Sequence, residues 1–236
     1  MQKKCVVWLG MLILSVPLNL WAEDRFGFEI GGFGGGAIWR ERTFEIGPPQ
    51  VPAGTPHIPL EFSYNNQAVY GARFNFLSRG IWGGEVSYGI QNNTLALTRQ
   101  GLAPLELKGN IHQFFYNTIF YPFRYEGSNV QPFVTGGIGL ANYRIDGESR
   151  RQPLAPPGLD SSDRRFAFNY GFGVKAKLNS LIGVRADFRH NFSDVPSFGL
   201  PKESSNPAQL VLPIQGKLQN FEASAGIYLH FSWKPD

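Results

Sequence analysis

Nine charged residues stand at alternating positions in patterned stretches of the chain: Glu29, Arg73, Glu85, Lys175, Lys177, Arg185, Asp187, Arg189 and Glu222. Side chains two apart on a β-strand share a face, so Lys175 and Lys177 point one way, as do Arg185, Asp187 and Arg189. Four acids against five bases is close to balance. The chemistry open to such a set is mutual neutralisation, an ion-pair network on a sheltered polar face. Arg73 and Glu85 stand about equally far from the Ser78-Arg79-Gly80 turn, which predicts that they face each other across a hairpin, and an Arg189–Glu222 contact is expected as well. Other residues carry chemistry that their surroundings deny. Gly31-Gly32-Phe33-Gly34-Gly35-Gly36 lacks the Gly-Lys-Ser/Thr ending and the following helix of a phosphate-binding loop, so its glycines read as part of a strand. His57, His112, His190 and His230 share no metal-ligand spacing, and neither a metal nor a cofactor is expected. Asn92-Asn93-Thr94 and Asn191-Phe192-Ser193 match the glycosylation triplet by chance. His190 and Ser193 have the types of a base and a nucleophile. Their separation of three sends them to opposite faces of a regular strand unless a bulge intervenes, and Asp194 and Glu203 are then ordinary loop residues.

The elements that must position these residues are strands. Eight runs carry strand periodicity, at about Arg25 to Arg42, Ala68 to Leu77, Ile81 to Thr98, Leu107 to Tyr121, Val130 to Ile145, Arg165 to Leu178, Leu181 to Phe192 and Leu218 to Trp233. None shows the i, i+3, i+4 spacing of an amphipathic helix. Proline clusters mark long loops between some runs, while others are joined by tight turns such as Ser78-Arg79-Gly80 and Asn179-Ser180. The predicted fold is all-β, an eight-stranded antiparallel up-and-down barrel.

The sixth run sets Phe166, Phe168, Tyr170, Phe172 and Val174 against Asn169, Gly171, Gly173, Lys175 and Lys177, and the seventh and eighth repeat the division. A face of glycines and isolated charges suits a narrow interior, which turns the aromatic face outward toward lipid. In a bilayer a closed barrel satisfies its own backbone and an open sheet does not. The faces of the first and fourth runs are ambiguous. Trp82 and Trp233 stand at the tight-turn end and Trp39 near the other, which predicts two aromatic belts.

Residues 1–22 have a basic start, an apolar run and a small residue, Ala22, before Glu23-Asp24, the pattern of a secretory signal peptide. That leaves 23–236 as the barrel domain. Losing Lys3 and Lys4 lowers the formal net charge from +4 to +2, so nucleic acid is not an expected partner. Cys5 leaves too, and with it any disulfide or thiol site. Beyond the leader no apolar stretch approaches the roughly 20 residues of a membrane helix.

The eighth run also carries a resemblance. Ser224-Ala225-Gly226-Ile227-Tyr228-Leu229-His230-Phe231 matches the polar-x-Gly-x-x-hydrophobic-x-hydrophobic form of the last strand of outer-membrane barrel proteins. Gln131-Pro132-Phe133-Val134-Thr135-Gly136-Gly137-Ile138-Gly139 and the hairpin of the sixth and seventh runs are similar to the small bacterial outer-membrane β-barrel family that includes OmpA-like transmembrane domains. The resemblance covers nearly all of the chain after the leader. It implies residence in the bacterial outer membrane, contact with its lipid and lipopolysaccharide, and recognition by the barrel assembly machinery through Ser224, Gly226, Leu229 and Phe231. It also implies a periplasmic side for the tight turns and a cell-surface side for the loops Glu45 to Phe62, Arg144 to Arg164 and Ser193 to Gly216. No peptidoglycan-binding domain follows, so tethering is not implied.

The function implied is non-enzymatic: an integral barrel with a closed polar lumen, structural or meeting a surface partner through loops that need not pack with the barrel. One alternative is a narrow channel for small or apolar solutes. The other is a lipid A deacylase-like hydrolase, because those enzymes are also eight-stranded barrels and place a His and a Ser two apart near this strand. Arg144, Arg150, Arg151, Arg164 and Arg165 read as a solvated mixed-charge loop with Asp146, Glu148, Asp160 and Asp163, or as contacts for lipopolysaccharide phosphate.

Overall fold

The computed structural model describes residues 26–40, 42–46, 58–77, 80–99, 105–122, 129–153, 155, 158–199 and 216–233. The leader at 1–22, Ser78-Arg79, His57 and Glu203 lie outside the described residues.

The strands are β1 (Phe26–Trp39), β2 (Arg42–Ile46), β3 (Ile58–Tyr64), β4 (Gln67–Leu77), β5 (Trp82–Arg99), β6 (Leu105–Phe120), β7 (Val130–Ile145), β8 (Ser162–Lys177), β9 (Ile182–Asp194) and β10 (Lys217–Trp233). One four-residue helix, α1 (Gly147–Arg150), lies between β7 and β8. Eight strands close into a ring: neighbours pair antiparallel from β4 through β10, and β1 closes the ring between β10 and β4. The seam between first and last strands runs from Phe26↔Trp233 to Trp39↔Asn220. The barrel is therefore the expected up-and-down fold, with every internal strand edge paired.

The first long loop departs from expectation. Within Glu45 to Phe62 a loop was predicted because prolines crowd it, yet β2 and β3 form a hairpin there, from Arg42↔Phe62 to Ile46↔Ile58. β3 pairs onward with the far end of β5, from Leu60↔Arg99 to Tyr64↔Leu95. Pro59 precedes the first β3–β5 pair, so its missing N–H interrupts none of that ladder. β3 and β4 are two parts of one long wall strand, broken at Asn65-Asn66, where Asn66 Oδ1 accepts from Trp39 N at 3.0 Å. The turn between β8 and β9 spans four residues rather than two. Asn179 Oδ1 closes it, accepting from Leu181 N at 2.8 Å and Ile182 N at 2.7 Å.

Alternation assigns the faces. Outward side chains such as Phe172, Ile138 and Ile227 are 59%, 54% and 62% exposed, the apolar outer band that the sequence predicts. The two ambiguous strands owe their ambiguity to bulky inward residues. Phe33 of β1 turns inward and lies over the Arg73 guanidinium, 3.8 Å from Cζ to ring centroid. A Cβ on Gly71 would stand 2.9 Å from that ring, so glycine makes the room. On β6, Ile111, Phe115 and Ile119 are all buried.

Candidate functional site

Inside the barrel the charged residues form a crossbeam at mid-height. Glu85 of β5 is fully buried; it accepts a hydrogen bond from Arg189 of β9 at 2.7 Å and is in an ion pair with Arg185, also of β9, at 2.7 Å. β5 and β9 are four strands apart in a ring of eight, so these bonds span opposite walls. Asp187 binds Arg185 through both oxygens, at 2.8 and 2.7 Å, and also takes Arg189 at 3.1 Å and Arg73 at 2.8 Å. Arg73 continues to Glu222 at 3.6 Å and to Ser224 Oγ at 2.9 Å. Toward the tight-turn end, Lys175 is paired with Glu29 and donates to Tyr121 OH at 2.7 Å. Asn75 and Asn117 donate to Glu29 and Glu85 at 2.9 and 2.8 Å, and Phe133 lies beneath Arg185, 4.4 Å from Cζ. Each of these charges thus has an oppositely charged partner, and removing one partner would leave a buried charge uncompensated.

Two expected contacts are replaced. Arg73 does not face Glu85: the register is Arg73↔Ser87 and Asn75↔Glu85. The hairpin is centred on Gly80 rather than Arg79, a two-residue shift that leaves both charges on the inner face. Arg189 and Glu222 are cross-strand neighbours, but the Arg189 guanidinium turns across the lumen to Glu85 and Asp187, and Arg73 takes Glu222. Lys177, at the end of β8, is half-buried and stands in no ion pair among the described residues.

Above the crossbeam the lumen turns apolar. Tyr64, Leu95, Leu107, Ile111, Phe115, Tyr143, Ile145, Val195 and Phe198 belong to one buried cluster. Trp39 is part of it, 6% exposed, donating from Nε1 to Gln91 Oε1 at 3.2 Å. Trp39 therefore belongs to no outer belt, because β1 alternation puts Ile38, not Trp39, outside. Trp82 does face outward and packs on Phe120 at 4.8 Å between centroids, while the Trp233 side chain lies outside the described residues.

The described residues of the third long loop and of the segment after β9 also pack with the barrel, contrary to expectation. Asp163 Oδ2 accepts from Ser197 N at 2.6 Å, Phe198 N at 2.9 Å and Arg165 at 2.5 Å. This holds Phe198 in the barrel mouth at φ +48°, a left-handed conformation that a bulky residue keeps only under outside constraint. Asp163→Ala removes that constraint. Hydrogen bonds to a carboxylate contribute about 1.5–3 kcal/mol each, so limited proteolysis within 195–199 is expected to accelerate by one to two orders of magnitude while the barrel stays folded. Unchanged cleavage would show that Asp163 does not hold the loop.

His190 and Ser193 do not meet. His190 faces outward with Nδ1 3.0 Å from Tyr170 OH, whereas Ser193 is buried inside with Oγ 2.5 Å from Tyr143 OH. The assembly-motif residues divide similarly: Ser224 is inside and bonded to Arg73, Leu229 and Phe231 are outside, and a Cβ on Gly226 would meet Gly32 O at 2.2 Å. Among the described residues no group of His, Cys, Asp and Glu could hold a metal ion. Reasoning from alternation missed Phe33, Phe133, Tyr121 and Phe198. For Phe33 the flanking glycines were an available signal, since glycine opposite an inward aromatic is a close-approach pattern.

The sequence matches the family model described as outer membrane protein beta-barrel domain over residues 9–227. No curated protein matches it. Among solved structures it is similar to the outer membrane protein OprG of Pseudomonas aeruginosa, at 16% identity over 89% of this chain and 97% of that one, TM-score 0.53. It is also similar to neisserial surface protein A, at 13% identity over 89% of this chain and 100% of that one, TM-score 0.51. At such identity these likenesses concern the fold alone.

Proposed function

Since the chain belongs to the outer membrane protein β-barrel domain family, we propose that it is an integral outer-membrane barrel whose lumen is sealed by its own side chains and whose work is done at its outer surface. The observation that carries this reading is the span of Glu85 to Arg185 and Arg189 between opposite walls. An eight-stranded barrel leaves room only for side chains, and a crossbeam of buried, mutually bonded charges occupies that room at mid-height. The apolar cluster and Phe198 fill the mouth above it. The nine-residue charge set, less Lys177, is in this reading a structural plug. Ser224, Gly226, Leu229 and Phe231 serve as the assembly signal, and the loops beyond β7 and β9 meet outer-leaflet lipopolysaccharide or a surface partner. A hydrolase role draws no support from a histidine and serine on opposite faces.

The test is electrical and biochemical together. Purified protein is expected to run at different apparent masses on unheated and heated denaturing gels, to sediment with outer membrane, and to give no steady conductance in planar bilayers. Large, reproducible currents from the monomer would overturn the sealed lumen. Recovery as a soluble periplasmic protein would overturn the location.

A further inference from the structure

We propose that Lys108, Arg144 and Arg164 form an anion-binding site on the outside of the barrel, at the outer rim of its apolar band, for the phosphate of an outer-leaflet glycolipid. The inference rests on the outer-membrane reading and deepens it. Five arginines near the third long loop were candidates by sequence, and the structure sorts them. Arg165 is held at Asp163, and Arg150 and Arg151 stand on or just past α1, beyond the strand ends. Arg144 and Arg164 stand on the outward face of β7 and β8, and Lys108 of β6 joins them.

Register brings the three together. Asn110 pairs with Arg144 and Asn142 with Arg164, so Lys108 to Arg144 and Arg144 to Arg164 are successive diagonal neighbours, about 7–8 Å apart at the backbone. On the same outward face, closer to the membrane centre, lie Phe114, Leu140 and Phe166, all 44–50% exposed. Each strand thus passes from lipid-facing apolar residues to a cation within a few positions. All three cations are exposed, and none is in an ion pair among the described residues. Nearby cations do pair where a carboxylate is in reach, as Lys217 does with Asp194 at 3.1 Å. Of the acids nearest in sequence, Asp163 is half-buried and committed to Arg165 and to the backbone of Ser197 and Phe198, while Glu106, Asp146 and Glu148 are exposed at or beyond the strand ends. The platform is rigid: Lys108 N donates to the buried Ser149 Oγ at 2.9 Å, and Lys108 O accepts from Asp146 N at 2.9 Å.

Two guanidinium groups and an ammonium on adjacent strands suit a phosphate, which arginine binds in bidentate fashion. A soluble polyanion would offer the same groups. The apolar band directly beneath favours a phosphate whose own acyl chains lie on Phe114, Leu140 and Phe166.

The experiment uses full-length folded protein in phosphatidylcholine nanodiscs doped with lipopolysaccharide, with bound lipopolysaccharide read by native mass spectrometry. Three proteins are compared: wild type, the K108Q/R144Q/R164Q variant, and a charge-matched R40Q/R150Q/R151Q variant. The first variant is expected to lose about tenfold in occupancy, from three exposed contacts, and the charge-matched variant to keep it. With dephosphorylated lipopolysaccharide the difference should vanish. Equal binding by all three, or equal loss in both variants, would overturn the proposal. So would full competition by soluble dextran sulfate at low concentration, since it would place the ligand in solution rather than in the leaflet. Heat-dependent gel mobility separates this from the parent reading: a protein that never inserts fails both, whereas one that inserts without the difference fails the site alone.

Discussion

Glu85→Ala is expected to cost the folded barrel about 3–5 kcal/mol, the range for removing one partner of a buried charge cluster. Glu85 has no exposed surface and receives Arg185 and Arg189 at 2.7 Å each. Without it Arg189 keeps only Asp187, at 3.1 Å, and three guanidinium groups, those of Arg73, Arg185 and Arg189, share that one carboxylate. Glu222→Ala should cost clearly less, because its contact with Arg73 is 3.6 Å and Arg73 keeps Asp187 at 2.8 Å. The measurement is urea unfolding in lipid vesicles, scored by the folded and unfolded gel bands. Adding Arg189→Ala to Glu85→Ala should recover part of the loss, since it removes one uncompensated charge. A Glu85→Ala loss under about 1 kcal/mol would mean that the crossbeam does not bear on stability.

Ile138→Arg is expected to cost about 2–4 kcal/mol, and Leu178→Arg no more than about 1 kcal/mol, in the same assay. The two residues are 54% and 65% exposed, so exposure alone ranks them alike. Depth separates them. Ile138 is midway along β7, where the medium is hydrocarbon, and Leu178 is in the β8–β9 turn. On a water-soluble barrel both changes would be surface substitutions within about ±0.5 kcal/mol. Equal small losses would therefore contradict the membrane-spanning orientation of this face.

The parts of the molecule that were legible in the sequence are those where one physical requirement acts alone. Over 166–176 of β8 and 182–188 of β9 every second residue suits lipid, and Phe172, Val174, Val184 and Phe188 alternate with Gly173, Lys175, Arg185 and Asp187. On β1 and β6 two requirements overlap. The interior must also be filled, and Phe33, Ile111 and Phe115 fill it with residues that equally suit the outside. Trp39 was misplaced for the same reason: an aromatic near a strand end serves a belt or a core, and only the register of Ile38 decides. The partners within the crossbeam were beyond reach because alternation gives the face of a side chain, not which wall it reaches. Phe198 was hidden because its burial depends on Asp163, which stands 35 positions away.

The bonds across the lumen also constrain when they can form. Lys175 and Glu29 are 146 residues apart, Arg73 and Asp187 114, and Arg189 and Glu85 104. Contacts of such separation come late in any folding sequence, because the connecting chain must be ordered first. Here the requirement is stricter, since β1 and β10 are far apart in sequence, and the ring has no sheltered interior until they pair. Before that moment the arginines and carboxylates need water, and after it they need one another. Seam closure and charge dehydration are thereby a single event. An unfinished barrel missing β10 carries hydrated charges on one face and lipid-seeking aromatics on the other, a species that cannot rest in the bilayer. Closure of the seam and commitment to the membrane are thus coupled by the same few side chains.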